Sequence, residues 1–458
     1  MGWDRSLYSC IAFISVFIFA SSAPFDDFSD LRGPYCENRG RCCNGRQDTC
    51  AIPILGTLCY CDDFCNNTRV DDCCPDYWSF CRGIYVPIPT RIPTTSRAPE
   101  IEEMKSCTYN GVNYFQKARI KVNCNECLCG GELNSNWTCE TNKCLIDGNI
   151  IKTINEESPY GWTATNYSEF YGRTLADGIG LRLGTLPPQR FVLRMNPVRR
   201  IYDPNALPRF FDSEEKWPGL VSDIQDQGWC ASSWAISTAA VASDRYAIVS
   251  KGYEKVQLSA QNLLSCNTKG QQNCEGGHLD RAWSFVRYNG LVDEDCFPYA
   301  AKFEKCLVKR KGRLLDAGCQ PPPYKERKNR YTVTPAYRLG NETDIMYEIT
   351  RSGPVQATMK VYHDFFMYRG GIYRHTDLSM NELQGYHSVR IIGWGEEYTF
   401  NGVQKYWKVA NSWGPNWGEN GYFRIVRGVD ECEIESFVLA VWPHVDRKIF
   451  LTNANEII

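Results

Sequence analysis

With 458 residues the chain exceeds a single compact core, so about two to four domains are expected. Its 51 basic and 53 acidic residues leave a formal charge of -2, which excludes the basic footprint of a nucleic-acid binder. Its 24 cysteines exclude an ordinary cytosolic protein without metal or thiol chemistry; outside the cell they would pair as disulfides.

Arg5 is followed by an apolar run from Leu7 to Ala20, then by the small residues Ser21, Ser22 and Ala23. The run is short for a membrane span and ends as a signal-peptidase site does. Residues 1–22 are therefore expected to be a signal peptide, with a signal anchor as the competing reading. No later stretch reaches the ~18 apolar residues of a bilayer span, so a secreted chain without a transmembrane anchor is expected. Asn-x-Ser/Thr sequons at Asn66, Asn136, Asn166 and Asn341 agree with that as glycosylation sites.

Ten cysteines fall between Cys36 and Cys81, in a segment too small to build an apolar core. Cys59, Cys61, Cys73 and Cys74 could be zinc ligands, but the even count, the leader and the lack of histidine favour disulfides. The run Cys59-Tyr60-Cys61-Asp62-Asp63-Phe64-Cys65, followed by Cys73-Cys74-Pro75-Asp76-Tyr77 and Cys81, resembles a somatomedin B module over residues 32–83. That family usually carries fewer cysteines, and the resemblance implies a small protein-binding knot. Residues 84–105 hold Pro87, Pro89, Pro93 and Pro99 and are expected to be an extended linker.

A second group, Cys107, Cys124, Cys127, Cys129, Cys139 and Cys144, is again even and again lacks histidine. Its spacing, with Tyr109-Asn110-Gly111 and Trp137, resembles the first half of a von Willebrand factor type C module over residues 106–145. Growth-factor binding is the habit of that family; a structural spacer is the equal alternative. Residues 146–206 contain no cysteine. Asn155, Trp162, Tyr167 to Tyr171, Gly178, Gly180, Gly184 and Pro187-Pro188 make this segment similar to a cathepsin B propeptide, which would lie across a cleft until removed. Arg199-Arg200 is a candidate processing site.

The stretch Gln227-Gly228-Trp229-Cys230-Ala231-Ser232-Ser233-Trp234-Ala235 has the frame of a thiol-protease nucleophile site, with a hydroxyl in the place of the thiol. Ser233 is expected to open a long buried helix, since Trp234 to Ile248 is apolar on one face. With His387 in Gly385-Tyr386-His387 and Asn411 in Asn411-Ser412-Trp413-Gly414, residues 207–446 resemble the papain superfamily and specifically cathepsin B. The resemblance implies an α+β, two-subdomain papain-like fold behind small disulfide-rich modules. It also implies a vestigial catalytic set: Ser233 as nucleophile, His387 as base, Asn411 as its orienter shielded by Trp413, and Gln227 with the Ser233 N–H as oxyanion hole. It further implies disulfides Cys230–Cys274, Cys266–Cys306 and Cys296–Cys319, with Cys432 left free in a late buried strand.

Two further departures appear. The stretch after Cys306 reads Leu307-Val308-Lys309-Arg310-Lys311, without the histidines of an exopeptidase loop, and near the cleft floor Phe437 replaces an acidic specificity residue, so any groove is expected to prefer apolar side chains. Together the modules resemble the tubulointerstitial nephritis antigen family, which implies a secreted, matrix-associated, non-proteolytic protein. Its partners would be extracellular matrix proteins, cell-surface receptors or secreted signalling proteins, with no metal or cofactor. The rivals are a weak serine-nucleophile peptidase and a carrier of an apolar ligand.

Overall fold

The computed structural model describes residues 33–54, 57–66, 72–84, 106–130, 136–156, 161–198, 201–308, 319, 330–399 and 402–445. The expected signal peptide at 1–22, nearly all of the expected linker at 84–105, and the candidate processing site Arg199-Arg200 lie outside the described residues. The chain divides into two compact units, Met1–Glu102 and Glu103–Ile458.

The smaller unit is held by covalent bonds where a core is lacking. Its disulfides join Cys36–Cys61, Cys42–Cys81, Cys43–Cys50, Cys59–Cys74 and Cys65–Cys73. Every sulfur that could have served zinc is thereby used. A hairpin pairs Ala51–Ile54 with Thr57–Tyr60. Ile54 and Tyr77 are the large apolar side chains buried among the cystines. Two carboxylates replace further secondary structure: Asp76 accepts from the Cys36 and Glu37 amides, and Asp62 from those of Gln47 and Phe64.

The larger unit begins with a hairpin, Ser106–Tyr109 with Val112–Phe115, and a three-stranded sheet formed by Arg119–Val122, Asn125–Cys129 and Trp137–Cys139. Cys107–Cys129, Cys124–Cys144 and Cys127–Cys139 staple them. This cysteine-rich segment shares one compact unit with the papain-like part.

The papain-like part contains helices α1 (Gly148–Glu156), α2 (Leu175–Arg182), α3 (Ser233–Val249), α4 (Ala260–Cys266), α5 (Leu279–Asn289) and α6 (Glu342–Ser352). Its strands are β1 (Trp162–Ala164), β2 (Phe211–Asp212), β3 (Tyr337–Leu339), β4 (Val355–Val361), β5 (Tyr368–Tyr373), β6 (Gly385–Thr399), β7 (Gly402–Ala410), β8 (Tyr422–Val426) and β9 (Val438–Ala440). They form a sheet in the order β3-β9-β4-β6-β7-β8-β5-β1, with β2 paired to β6. The β1 edge comes from the propeptide-like segment, so that segment is built into the sheet.

α3 is buried on nearly all sides because alanines and serines let it pack closely between the sheet and the helices. Buried hydroxyls on it donate to the preceding turn, Ser237 to the Ser233 carbonyl and Thr238 to that of Trp234. Arg245 is fully buried and satisfied by Glu348 and the carbonyls of Pro354, Val441 and Gly353. One apolar core lies on the sheet side and takes in Leu145, Ile150, Ile154, Trp162, Phe170 and Leu183; the other surrounds α3, α4 and α5.

Asn341 caps α6, its Oδ1 accepting from the Asp344 amide at 2.8 Å. Asn341→Ala removes that cap together with the sequon and should cost about 1 kcal/mol. Wild type made in a host that adds no N-glycan is the reference in urea unfolding, since it keeps Asn341 at the cap.

Candidate functional site

Ser233 stands at the first position of α3, fully buried. His387 lies near the start of β6 and Asn411 just after β7, so the sheet register brings the two side by side. His387 Nε2 and Asn411 Oδ1 are 2.7 Å apart, and Oδ1 also accepts from the Ser412 amide. That second bond identifies the oxygen, so Nε2 carries the proton and Nδ1 presents its lone pair. Trp413 packs its ring 5.2 Å from the imidazole and is itself buried.

Gln227 is oriented by the Ser412 hydroxyl, which donates to Oε1 at 2.7 Å. Its Nε2 therefore points toward the place where a developing oxyanion would sit. That place is filled. The Leu183 carbonyl oxygen accepts from Gln227 Nε2 at 3.0 Å and from the Ser233 amide at 3.4 Å.

The occupant belongs to a strap, residues 183–188, that comes after α2 and is bridged at Thr185 to Gly277 on one side and to Tyr386 on the other. The Gly184 carbonyl accepts from the Gly277 amide, the Leu186 amide donates to the Gly277 carbonyl, and the Thr185 amide donates to Tyr386. The Thr185 hydroxyl shares a 3.0 Å hydrogen bond with Ser233 Oγ, which also accepts from the Ser388 amide at 3.2 Å. His387 Nδ1 has no partner at full hydrogen-bond geometry among the described residues, and the strap group that faces the imidazole is the Leu183 carbonyl. The serine is thus tied to the strap and not to the base.

Burial depresses the His387 pKa to about 4; the Asn411 bond and, more weakly, the Leu183 carbonyl oppose this, and the Arg182 charge adds to it. The imidazole is neutral at pH 7. On acidification an unfolded chain would take up this proton near the ordinary histidine value of 6.5, and the folded one only near 4. Stability is therefore complete above that ordinary value and falls between the two, by up to about 3 kcal/mol. Unfolding free energies of wild type and His387→Gln from urea titrations, compared at neutral and at acid pH, should diverge by that amount, with the wild type the more acid-sensitive.

Cys230 is bonded to Cys274, Cys266 to Cys306 and Cys296 to Cys319. Cys230 therefore has no thiol to offer the cleft. Cys432 is free and buried, but it sits in a short 3-10 turn, Glu431–Glu433, instead of the expected strand. Asp430 accepts from the Glu435 amide and the Ser436 hydroxyl and closes the chain into that turn. Phe437 lies in the helical-side core, 3% exposed, and presents no open groove wall. After Cys306 the chain is described only to Val308 and again at Cys319, so most of the histidine-free stretch lies outside the described residues. Asn136, Asn166 and Asn341 are exposed.

Sequence reasoning missed Thr185, Leu183 and Arg182. Arg182 is fully buried, paired with Asp226 at 3.0 Å and with Glu169, and its carbonyl accepts from Trp413 Nε1. Gly184 was the available signal, because its φ of 117° and its closeness to the Ala231 carbonyl admit no side chain.

The fold and this Gln-Ser-His-Asn arrangement define a papain-type chain, and residues 207–442 match the family described as papain family cysteine protease. Tubulointerstitial nephritis antigen-like of Homo sapiens is 46% identical over 436 residues, 91% of this chain and 90% of that protein. Tubulointerstitial nephritis antigen of Homo sapiens is 44% identical over 433 residues, covering 90% and 87%. A cathepsin B-like cysteine proteinase of Schistosoma japonicum is 34% identical over 322 residues, 64% of this chain and 90% of that one. Among solved structures, proCathepsin B S9 from Trypanosoma congolense aligns with a TM-score of 0.54 and 32% identity, covering 66% of this chain and 100% of that chain. The chain belongs to the papain family and, within it, to the tubulointerstitial nephritis antigen family.

Proposed function

We propose that the chain is a secreted, proteolytically inactive papain-family glycoprotein that acts by binding in the extracellular matrix. The observation that carries this reading is Ser233, a hydroxyl in the place of the family's thiol, hydrogen-bonded to Thr185 beneath a strap that fills the oxyanion hole. A serine must lose its proton during attack, and the imidazolium so formed then needs an anion beside it. Asn411 is neutral. The analogous Asp-to-Asn change in a serine protease costs ~10⁴ in turnover.

Secretion is supported by eleven disulfides across the two units. Among the described residues, no helix is long and apolar enough to cross a membrane. The small cystine-stapled units are suited to protein partners: matrix proteins, cell-surface receptors or secreted signalling proteins. The second reading, a weak serine-nucleophile endopeptidase, is favoured by the unpartnered Nδ1 of His387.

The deciding experiment takes the secreted chain, intact and with the strap displaced by Gly184→Val, and assays it on peptide libraries and for binding to purified matrix proteins. Matrix binding without turnover is the expected result. Turnover by the wild type that is abolished in His387→Ala would overturn the inactive reading. Failure to bind matrix with or without residues 32–83 would overturn the binding reading.

A further inference from the structure

Beside the cleft, three side chains of different chemistry converge on one point that neither the papain fold nor the proposed binding role explains. His375 comes just after β5, and Glu431 and Cys432 occupy the turn between β8 and β9. Their ligand atoms, an imidazole nitrogen, a carboxylate oxygen and a thiol sulfur, all lie within 4.8 Å of one another. His375 Nδ1 is 2.5 Å from Glu431 Oε1, and Cys432 Sγ is 3.4 Å from the same oxygen. We propose that His375, Glu431 and Cys432 form a divalent-cation site suited to a borderline-soft ion such as Zn²⁺.

The ligand chemistry is the first argument. Thiolate, imidazole and carboxylate together are a zinc set, and three protein ligands leave a fourth position for water. Zinc bonds of ~2.0–2.3 Å place tetrahedral neighbours about 3.5 Å apart. The sulfur is already at that distance from Glu431 Oε1, and His375 must move outward by about 1 Å for a cation to enter. His375 is partly exposed, which gives both the entry path and the water position, whereas Glu431 and Cys432 are buried.

The second argument is backbone conformation. Asp430, Cys432 and Glu433 all have left-handed φ values, 55°, 53° and 61°, although none is glycine. Such conformations persist where the surroundings over-determine them, and they cluster at functional sites. Here the turn aims Sγ at Glu431, which also accepts from the His375 amide, while the Tyr362 ring stacks on the imidazole at 4.4 Å and sets its plane.

The third argument is charge. Glu431, Glu433 and the fully buried Asp364 surround the thiol, and His375 and Arg374 are the cations that answer them. Binding forms the metal–sulfur bond, and the thiol proton and the proton between His375 and Glu431 leave to solvent. The Tyr386 hydroxyl donates to Glu433 at 2.9 Å and links this cluster to the residue preceding His387.

Cys432 is the free cysteine among the described residues, so a metal–thiolate signal reports on it. The secreted full-length chain is stripped with a chelator and titrated with Co²⁺ and then with Zn²⁺. The expected result is one equivalent bound, a near-ultraviolet cobalt–thiolate band, its displacement by Zn²⁺, and proton release. Cys432→Ser should abolish the band. His375→Gln, which keeps a polar side chain beside Glu431, should weaken affinity more than the ~10–100-fold typical of losing an outer-sphere partner. No band in the wild type would overturn the proposal and leave an ion pair beside an inert thiol. A band of unchanged strength in His375→Gln and Glu431→Gln would overturn it equally, since the thiol would then be binding alone.

Discussion

Gly184→Val should release the strap from the cleft. Amide protection at Thr185 and Leu186 should collapse, and a protease should gain a cutting site between residues 183 and 198. Two costs add at this position. The φ of 117° is one that a β-branched residue does not adopt, and a Cβ would lie 2.2 Å from the Ala231 carbonyl carbon and oxygen. Ala231 cannot move aside, because its amide donates to Cys274 and the neighbouring Cys230 is bonded to that same cysteine. Together these costs come to roughly 4 kcal/mol or more. What they oppose is the strap's hydrogen bonds to Gly277 and Tyr386 and the two to the Leu183 carbonyl, with a net worth of about 1 kcal/mol each, so cost and hold are of the same size and the strap opens readily. α2 should stay folded upstream, since the Thr174–Asp177 capping box holds its start and Leu175 is buried. Gly180→Ala is the control: it lies in the same helix with open space at its Cβ, so it should be neutral or stabilise by up to ~1 kcal/mol. Unchanged protection in Gly184→Val would mean that the strap is not held through this contact.

The fold class was legible because papain-type motifs are local. A nucleophile frame that opens a helix, a histidine in an apolar strand and an Asn-Ser-Trp-Gly turn each announce themselves within a few residues, and the sheet then assembles them. The cystine knots were legible as crosslinked units for a similar reason, since even cysteine counts in short segments leave little else to hold them. The occupancy of the cleft was not legible. Thr185 lies 48 residues from Ser233 and carries no motif, and a hydroxyl pair between them depends on register that only tertiary packing sets. The turn at Cys432 was hidden differently. Cys432-Glu433-Ile434 reads as the end of a strand, because left-handed conformations at non-glycine residues leave no mark in composition. Phe437 misled as a groove residue because alignment with a protease assigns it a wall, whereas here it packs in the core.

Ser233→Cys alone should remain silent as a peptidase, and Ser233→Cys in the Gly184→Val background should not. The single variant would keep the Leu183 carbonyl in the oxyanion hole and His387 buried with its pKa near 4, where an imidazolium partner for a thiolate cannot form. Releasing the strap admits water to His387 and removes the burial that depresses it. The remaining groups then suit a thiol: a helix N-terminus at the nucleophile, Nδ1 free, Nε2 held by Asn411, and Gln227 aimed by Ser412. The same groups do not suit a hydroxyl, which requires a charge where Asn411 has none. On that difference the double variant should exceed Gly184→Val in kcat/KM by about 10⁴, equivalent to about 5 kcal/mol of barrier. A fluorogenic peptide assay across the four chains measures it, and adding His387→Ala to the double variant should return the rate to background. A double variant no faster than Gly184→Val would place the lesion beyond the nucleophile, in groups that the serine has left without a task.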